Sequence, residues 1–331
     1  MSAPFQLSEP LLRQVMRPYR LGDLVSLRPL VVGTAVGFYE VHTSRGRFYL
    51  RLYEDRPIAD AHFEEALLLL LSRQQVAVPK MLPSGREGHL VCLSPRQQIV
   101  IYQPLLGREV GGFEVQTGHC AQIGTYLAQL HLAARGLKLR RRNRADPVTM
   151  RALIDRTRLA ASAELIEEID QLTDALSEQP WARELPRGII HGDLSIAGSR
   201  FRRHELTGIL NFDAACNGPL VYDLAVTLLD WAFLRDRFSE PRAQALVQAY
   251  IAVRPLRARE RSDLFGLTRY AAARVALARI ALFEVRRRGG EDPRYRDYRH
   301  YMTRLAELHR LGAAGFATAV QPGAARLRQD H

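Results

Sequence analysis

The chain has 331 residues, 47% hydrophobic and 25% charged, a balance that fits a globular protein and excludes disordered and collagen-like classes. Its length suits two unequal lobes better than one core. The formal charge of +12 comes almost wholly from arginine, because Lys80 and Lys138 are the only lysines; no aromatic-interleaved basic motif accompanies it, which argues against nucleic acid as a partner.

Residues 1–20 carry Arg13, Arg17 and Arg20 and lack a sustained apolar run, so no secretory signal is expected. A short opening helix is expected over 8–18. Runs of apolar and β-branched residues at 25–32, 37–42 and 47–53, around a turn at 44–46, predict a β-meander that begins with a glycine-containing loop, 33–37. A helix over 59–73 follows, then strands near 89–93 and 98–102. Gln103-Pro104-Leu105-Leu106-Gly107 breaks the pattern as a hinge would.

Beyond the hinge the periodicity turns helical. Thr117 is placed to cap a helix whose Ile123, Leu127, Leu130 and Ala134 share a face, and a second helix is expected over 150–178. The arginine run 140–144 falls in a loop and reads as solvated surface. A strand-like pair is expected around Phe201 and 208–212, helices fill most of 222–311, and the tail from Thr318 is expected to fray. The most apolar segments exclude a membrane span: 66–71 is too short, and 270–285 is interrupted by Arg274 and Arg279. Cys92, Cys120 and Cys216 are odd in number, far apart and in no metal-ligand spacing, which fits reduced packing residues in a cytoplasm.

Chemistry concentrates in His191-Gly192-Asp193-Leu194, followed by Leu210-Asn211-Phe212-Asp213 and Tyr222-Asp223-Leu224-Ala225. This series resembles the catalytic core of the aminoglycoside phosphotransferase and homoserine kinase superfamily. Similarity to bacterial homoserine kinases extends through Tyr19-Arg20-Leu21-Gly22, the strand from Gly46 to Glu54, Leu130-His131-Leu132-Ala133, Ala214-Ala215-Cys216-Asn217 and Val253-Arg254-Pro255-Leu256, over roughly residues 8–310. The resemblance implies an α+β, protein-kinase-like fold. Its parts would be a small β-rich nucleotide-binding lobe with one helix at 1–104, hinge included, a larger, mainly helical catalytic and substrate lobe at 105–317, and a tail at 318–331.

What the resemblance implies for function is ATP-dependent phosphoryl transfer to the hydroxyl of a small molecule, homoserine, with magnesium beside the phosphates. Such transfer needs a carboxylate near the acceptor hydroxyl and cationic charge on the phosphates, with no covalent step by the protein. Asp193 would be the base. Gly33, Thr34 and Gly37 of the glycine loop and Arg51 on the third strand would hold phosphate, and Glu64 or Glu65 would pair with Arg51. His191 and Asp223 would brace the catalytic loop, and Asp230 and Trp231 would meet a substrate ammonium.

Two positions depart from the family pattern. The asparagine expected five residues after Asp193 is Gly198, and the second metal ligand, an aspartate in the family, is Asn211. In an extended segment Asp213 would face the same way as Asn211 and could take the ion, or it could hydrogen-bond backbone. An active kinase and a catalytically impaired pseudokinase with a binding or regulatory role both remain open on these residues.

Overall fold

In the strand Gly46–Glu54, odd and even positions point to opposite sides, and both sides are apolar. That pattern requires a sheet covered on both faces. The computed structural model, which describes residues 9–30, 32, 37–54, 56–85, 88–177, 181–286 and 296–321, contains such a sheet. Its strands β1 (Leu24–Pro29), β2 (Phe38–Thr43), β3 (Gly46–Glu54), β4 (Leu90–Ser94) and β5 (Gln97–Tyr102) run in the order β1-β2-β3-β5-β4, each antiparallel to its neighbour. Leu50 and Leu52 pack with Val41, Ile99 and Ile101 under α1 (Glu9–Met16), which contributes Leu12, Val15 and Met16. Tyr49 and Tyr53 face the other way, toward Phe63, Leu67 and Leu71 of α2 (Ile58–Arg73). Arg51 belongs to this second face by parity, and its register against Phe38 sets it beside the glycine loop.

The remainder is mainly helical. Helices α3 (Thr117–Ala133), α4 (Pro147–Ala160), α5 (Ala163–Ser177), α6 (Leu220–Trp231), α7 (Glu240–Val253), α8 (Ala258–Arg279) and α9 (Arg299–Val320) enclose one core. Between α5 and α6 lie the short strands β6 (Arg187–Ile190), β7 (Ser199–Arg202), β8 (Glu205–Ile209) and β9 (Cys216–Pro219), paired β6 with β9 and β7 with β8. Ala271, Ala272, Ala273 and Ala276 are fully buried on α8, small enough for it to run close beside its neighbours. No helix among the described residues is long and apolar enough to cross a membrane.

Several expected boundaries move. Thr117 lies inside α3, and the chain turns in at Gln116, whose N–H donates to His119 Nδ1 at 3.0 Å. The helix expected over 150–178 is two helices. Ala161 is extended between them, and no proline or glycine at the break announces it. The last helix runs to Val320, with Ala319 buried, so the chain is still helical at Thr318. Residues 322–331 lie outside the described set.

Helices α3 and α7 meet at Gly124, where a Cβ would fall 2.0 Å from the Leu246 carbonyl oxygen and 3.1 Å from the Tyr250 nitrogen. Both neighbours are backbone and cannot rotate away. Gly124→Ala is expected to destabilise the fold by about 1–3 kcal/mol through overpacking. Denaturant unfolding checks this, and an unchanged midpoint would mean that the helices do not approach there.

Candidate active site

Strand β6 delivers the chain into His191-Gly192-Asp193, and β9 returns alongside it. Gly192 has φ +77, and a Cβ there would sit 2.7 Å from the Ala214 carbonyl oxygen, so the turn requires glycine. Asp223, in the first turn of α6, fixes the loop: Oδ2 accepts the His191 N–H at 2.6 Å and Oδ1 the Gly192 N–H at 2.8 Å. His131 Nε2 lies 3.0 Å from Asp223 Oδ2, and His131 Nδ1 lies 2.9 Å from the Tyr250 hydroxyl. Arg254 extends the chain of contacts, reaching Tyr250 at 2.9 Å and Glu260 at 2.8 Å. Burial alone would raise the Asp223 carboxyl, but the hydrogen bond and charge of His131 and the loop amides outweigh it and hold the group below the usual range.

His191 is buried, which pushes its ring down to about 4, so it is neutral and Nδ1 accepts the Asp193 N–H at 3.3 Å. Its ring packs on Phe212 at 4.7 Å. Trp231 is fully buried and its indole N–H donates to the Leu194 carbonyl at 3.0 Å. It therefore braces the loop from behind and does not line the cavity, contrary to its expected place against a substrate. Asp230 does line it, while Oδ2 accepts the Ile196 N–H at 2.6 Å.

A cavity of about 390 Å³ opens over Asp193, lined also by Ser195, Asn211, Asp230, Arg274 and Arg279. Burial pushes the Asp193 carboxyl up to about 6; the Arg274 charge pulls the other way and Asp230 adds to the rise. Arg274 and Arg279 both leave a buried Nε without a hydrogen bond. The cavity thus brings two guanidiniums from α8 together with a pair of carboxylates on the loop and α6.

A second charge cluster joins the sheet to the loop after β8. Arg51 Nη2 donates to Asp213 Oδ1 at 2.7 Å and Oδ2 at 2.6 Å, and Arg56 Nη2 reaches Oδ2 at 3.0 Å. The Arg51 guanidinium stacks over Phe38 at 4.4 Å and Tyr53 at 5.1 Å. Of the two adjacent glutamates, Glu64 is the one turned inward, 2% exposed. Glu65 turns outward, where Oε1 lies 3.0 Å from both the N–H and Nδ1 of His89 and Oε2 lies 3.2 Å from His62. Among the described residues Arg51 therefore takes Asp213 as its ion-pair partner and neither expected glutamate; Glu64 acts on it only as a nearby charge. Burial, then the charge of Asp213, raise Glu64, against the pull of Arg141 and Arg51. Asp213 is held below its usual range: burial opposes this, and the guanidiniums of Arg51 and Arg56 outweigh it.

The metal positions can be tested on donors. The Leu210 N–H donates to the Gly198 carbonyl at 2.8 Å, which sets Gly198 against the residue that precedes Asn211. Gly198 offers no side chain, the Asn211 amide oxygen accepts the Asp213 N–H at 3.2 Å, and Asp213 is occupied by two arginines. No group of three or more His, Cys, Asp or Glu side chains suited to a metal exists among the described residues. The residues present do not fit a magnesium ion. Gly33 and Thr34 lie outside the described residues; Gly37, with φ +79 and a would-be Cβ 2.4 Å from the Leu52 carbonyl oxygen, must be glycine.

Sequence reasoning missed two arginines. Arg141, expected on a solvated surface, is 8% exposed: its Nε donates to Ala215 O at 2.5 Å and its Nη2 to Phe212 O at 2.9 Å and Asp213 O at 3.0 Å. Arg274 was visible only as a charge interrupting an apolar stretch, and that interruption was its signal.

The chain matches the phosphotransferase enzyme family over residues 26–265. It is 35% identical over 282 residues to a homoserine kinase of a Chelativorans species, covering 83% of this chain and 85% of the relative. It is 32% identical over 305 residues to a homoserine kinase of Parvibaculum lavamentivorans, covering 90% and 93%. Among solved structures, an amicoumacin kinase in complex with AMP-PNP and Ca2+ aligns with a TM-score of 0.66 at 13% identity, covering 91% of this chain and 97% of that one. An aminoglycoside phosphotransferase from Alicyclobacillus acidocaldarius aligns at 0.64 and 16%, covering 97% and 98%. These two establish a shared kinase-like fold.

Removing the Asp223 carboxylate orphans two buried N–H groups at once. Asp223→Ala is expected to speed amide exchange at His191 and Gly192 by tenfold to a hundredfold, from about 1–3 kcal/mol per unsatisfied donor. Hydrogen-exchange mass spectrometry of the loop peptide reads this directly, and unchanged protection would remove Asp223 as the brace.

Proposed function

Because this chain belongs to the phosphotransferase enzyme family, we propose that it transfers the terminal phosphoryl group of ATP to the hydroxyl of a small zwitterionic amino acid, homoserine, in the cytoplasm. One observation carries the reading: a carboxylate raised to about 6, Asp193, shares a cavity with a guanidinium, Arg274, and a second carboxylate, Asp230. Those three groups complement the hydroxyl, carboxylate and ammonium of such an acceptor. The names of the relatives point to the same acceptor.

In the transfer, Asp193 accepts the proton of the acceptor hydroxyl as its oxygen bonds to the γ-phosphorus and the bond from that phosphorus to the bridging oxygen breaks, releasing ADP. A base whose affinity for a proton lies near the working pH is efficient in this role. Asp223 and Trp231 hold the loop still during the step, and Arg274 and Asp230 orient the acceptor. Since the side chains at Gly198, Asn211 and Asp213 do not fit magnesium, no step is assigned to it. A second reading, nucleotide or amino-acid binding without turnover, is favoured by the closed Arg51–Asp213 pair, which leaves Arg51 partly neutralised.

Homoserine-dependent ADP release separates the two readings: turnover supports transfer, and saturable binding without release supports the other. With turnover, kcat/KM should rise with pH through about 6 and level off, because Asp193 must be ionised to accept a proton. Asp193→Asn should lower the rate by about 10²–10⁴-fold and abolish that limb. Arg274→Gln removes a charge that favours the ionised Asp193, so it should move the limb to higher pH and raise KM for homoserine more than for an amino alcohol lacking the carboxylate. A limb that stays in place would detach Arg274 from the acceptor site.

A further inference from the structure

Arg51 uses only one of its three guanidine nitrogens. Its Nη2 serves both oxygens of Asp213, while Nε and Nη1 are buried without a partner, as is Nη1 of Arg56. Buried donors on a cation are expensive to leave unmade, and several on one guanidinium indicate a missing acceptor. Nη1 of Arg51 faces Gly37, where a Cβ would approach it to 3.1 Å, so the open donors look onto the backbone at the mouth of the glycine loop. That is where the phosphates of a nucleotide lie if the proposed function holds.

The same groups oppose a divalent cation. Asp213, the carboxylate two residues from Asn211, already bridges two guanidiniums that would repel the ion. A polyphosphate faces the reverse balance: Arg51, Arg56 and Arg141 stand against Asp213 and Glu64, and Glu64 still has a buried oxygen without a partner. Arginine forks suit phosphate oxygens and stay charged throughout.

We propose that this chain binds the phosphates of its nucleotide with Arg51 and Arg56 in place of a divalent metal, and that Asp213 is their resident counter-anion, displaced in part when phosphate arrives. The Arg51–Asp213 pair is then an internal competitor of the ligand and not half of a metal site. Affinity should accordingly need no magnesium, should weaken where magnesium complexes the phosphates, and should fall with salt.

Calorimetric titration of the full chain with AMP-PNP, in EDTA and in excess magnesium, tests the proposal. Binding in EDTA at least as tight as in magnesium is expected. Asp213→Asn should tighten binding at least tenfold in both buffers by removing the competing charge, and Arg56→Gln should weaken it at least tenfold in both. Binding that appears only with magnesium, and is lost in Asp213→Asn, would overturn the proposal and make Asp213 a metal ligand. No binding in either buffer would overturn it as well. The proposal rests on a nucleotide being the ligand, and homoserine-dependent ADP release in magnesium measures that reading separately, so either can fail alone. Thermal melting confirms that Asp213→Asn folds; if it does not, the wild-type comparison and Arg56→Gln still decide.

Discussion

Both oxygens of Asp223 accept main-chain N–H groups, those of His191 and Gly192, and the placement of Asp193 over the cavity follows from that contact. An aspartate fully withdrawn from water is costly unless each lone pair finds a donor. Here the donors are two amides of the turn and His131, which is itself tied to Tyr250 and through it to Arg254 and Glu260. The network runs from α3 through α6 and α7 to the start of α8, so the catalytic loop is referenced to the helical core and not to the strands that flank it. With Gly192 locked in a positive-φ turn, Asp193 has little choice of direction.

Three aspartates near one another show how environment divides labour among identical side chains. Asp223 is saturated with donors and stays ionised as structure. Asp213 is held ionised by two guanidiniums and acts as a counter-charge. Asp193 has no such partners; burial dominates, the charges of Arg274 and Arg279 only partly compensate, and the carboxyl is pushed up to about 6. Only the last arrangement suits a group that must gain and lose a proton in each cycle.

Much of this was legible in the sequence, and for identifiable reasons. The five strands and the helix after β3 were readable from local pattern alone. The loop around Asp193 was readable because His191-Gly192-Asp193-Leu194 resembles the superfamily's catalytic core. What escaped reading depended on distant partners. Arg141 sits in a run that looks solvated, yet three carbonyls from residues 212–215 draw it inward. Glu64 and Glu65 are equivalent in composition, and only the path of the β4 edge, which brings His89 to Glu65, distinguishes them. Trp231 carries the right chemistry for a cation but is consumed by Leu194, a contact 37 residues away in sequence.

Gly198 and Asn211 are thirteen positions apart in the sequence, and the Leu210–Gly198 hydrogen bond sets Gly198 against the residue before Asn211. A glycine at one position and an amide at the other leave neither with a carboxylate. The third strand compensates in kind: where an ammonium would offer one compact charge, Arg51 offers a fork that can hold a carboxylate on one nitrogen and keep others open. Arg56 doubles that charge on the same carboxylate. A site that had merely decayed would be expected to leave its orphaned cation exposed or replaced. This one keeps a fully buried guanidinium, packs it against two aromatic rings, and supplies it with a new anion two residues from the old one. Burial of that quality is hard to maintain without a ligand that uses the remaining donors.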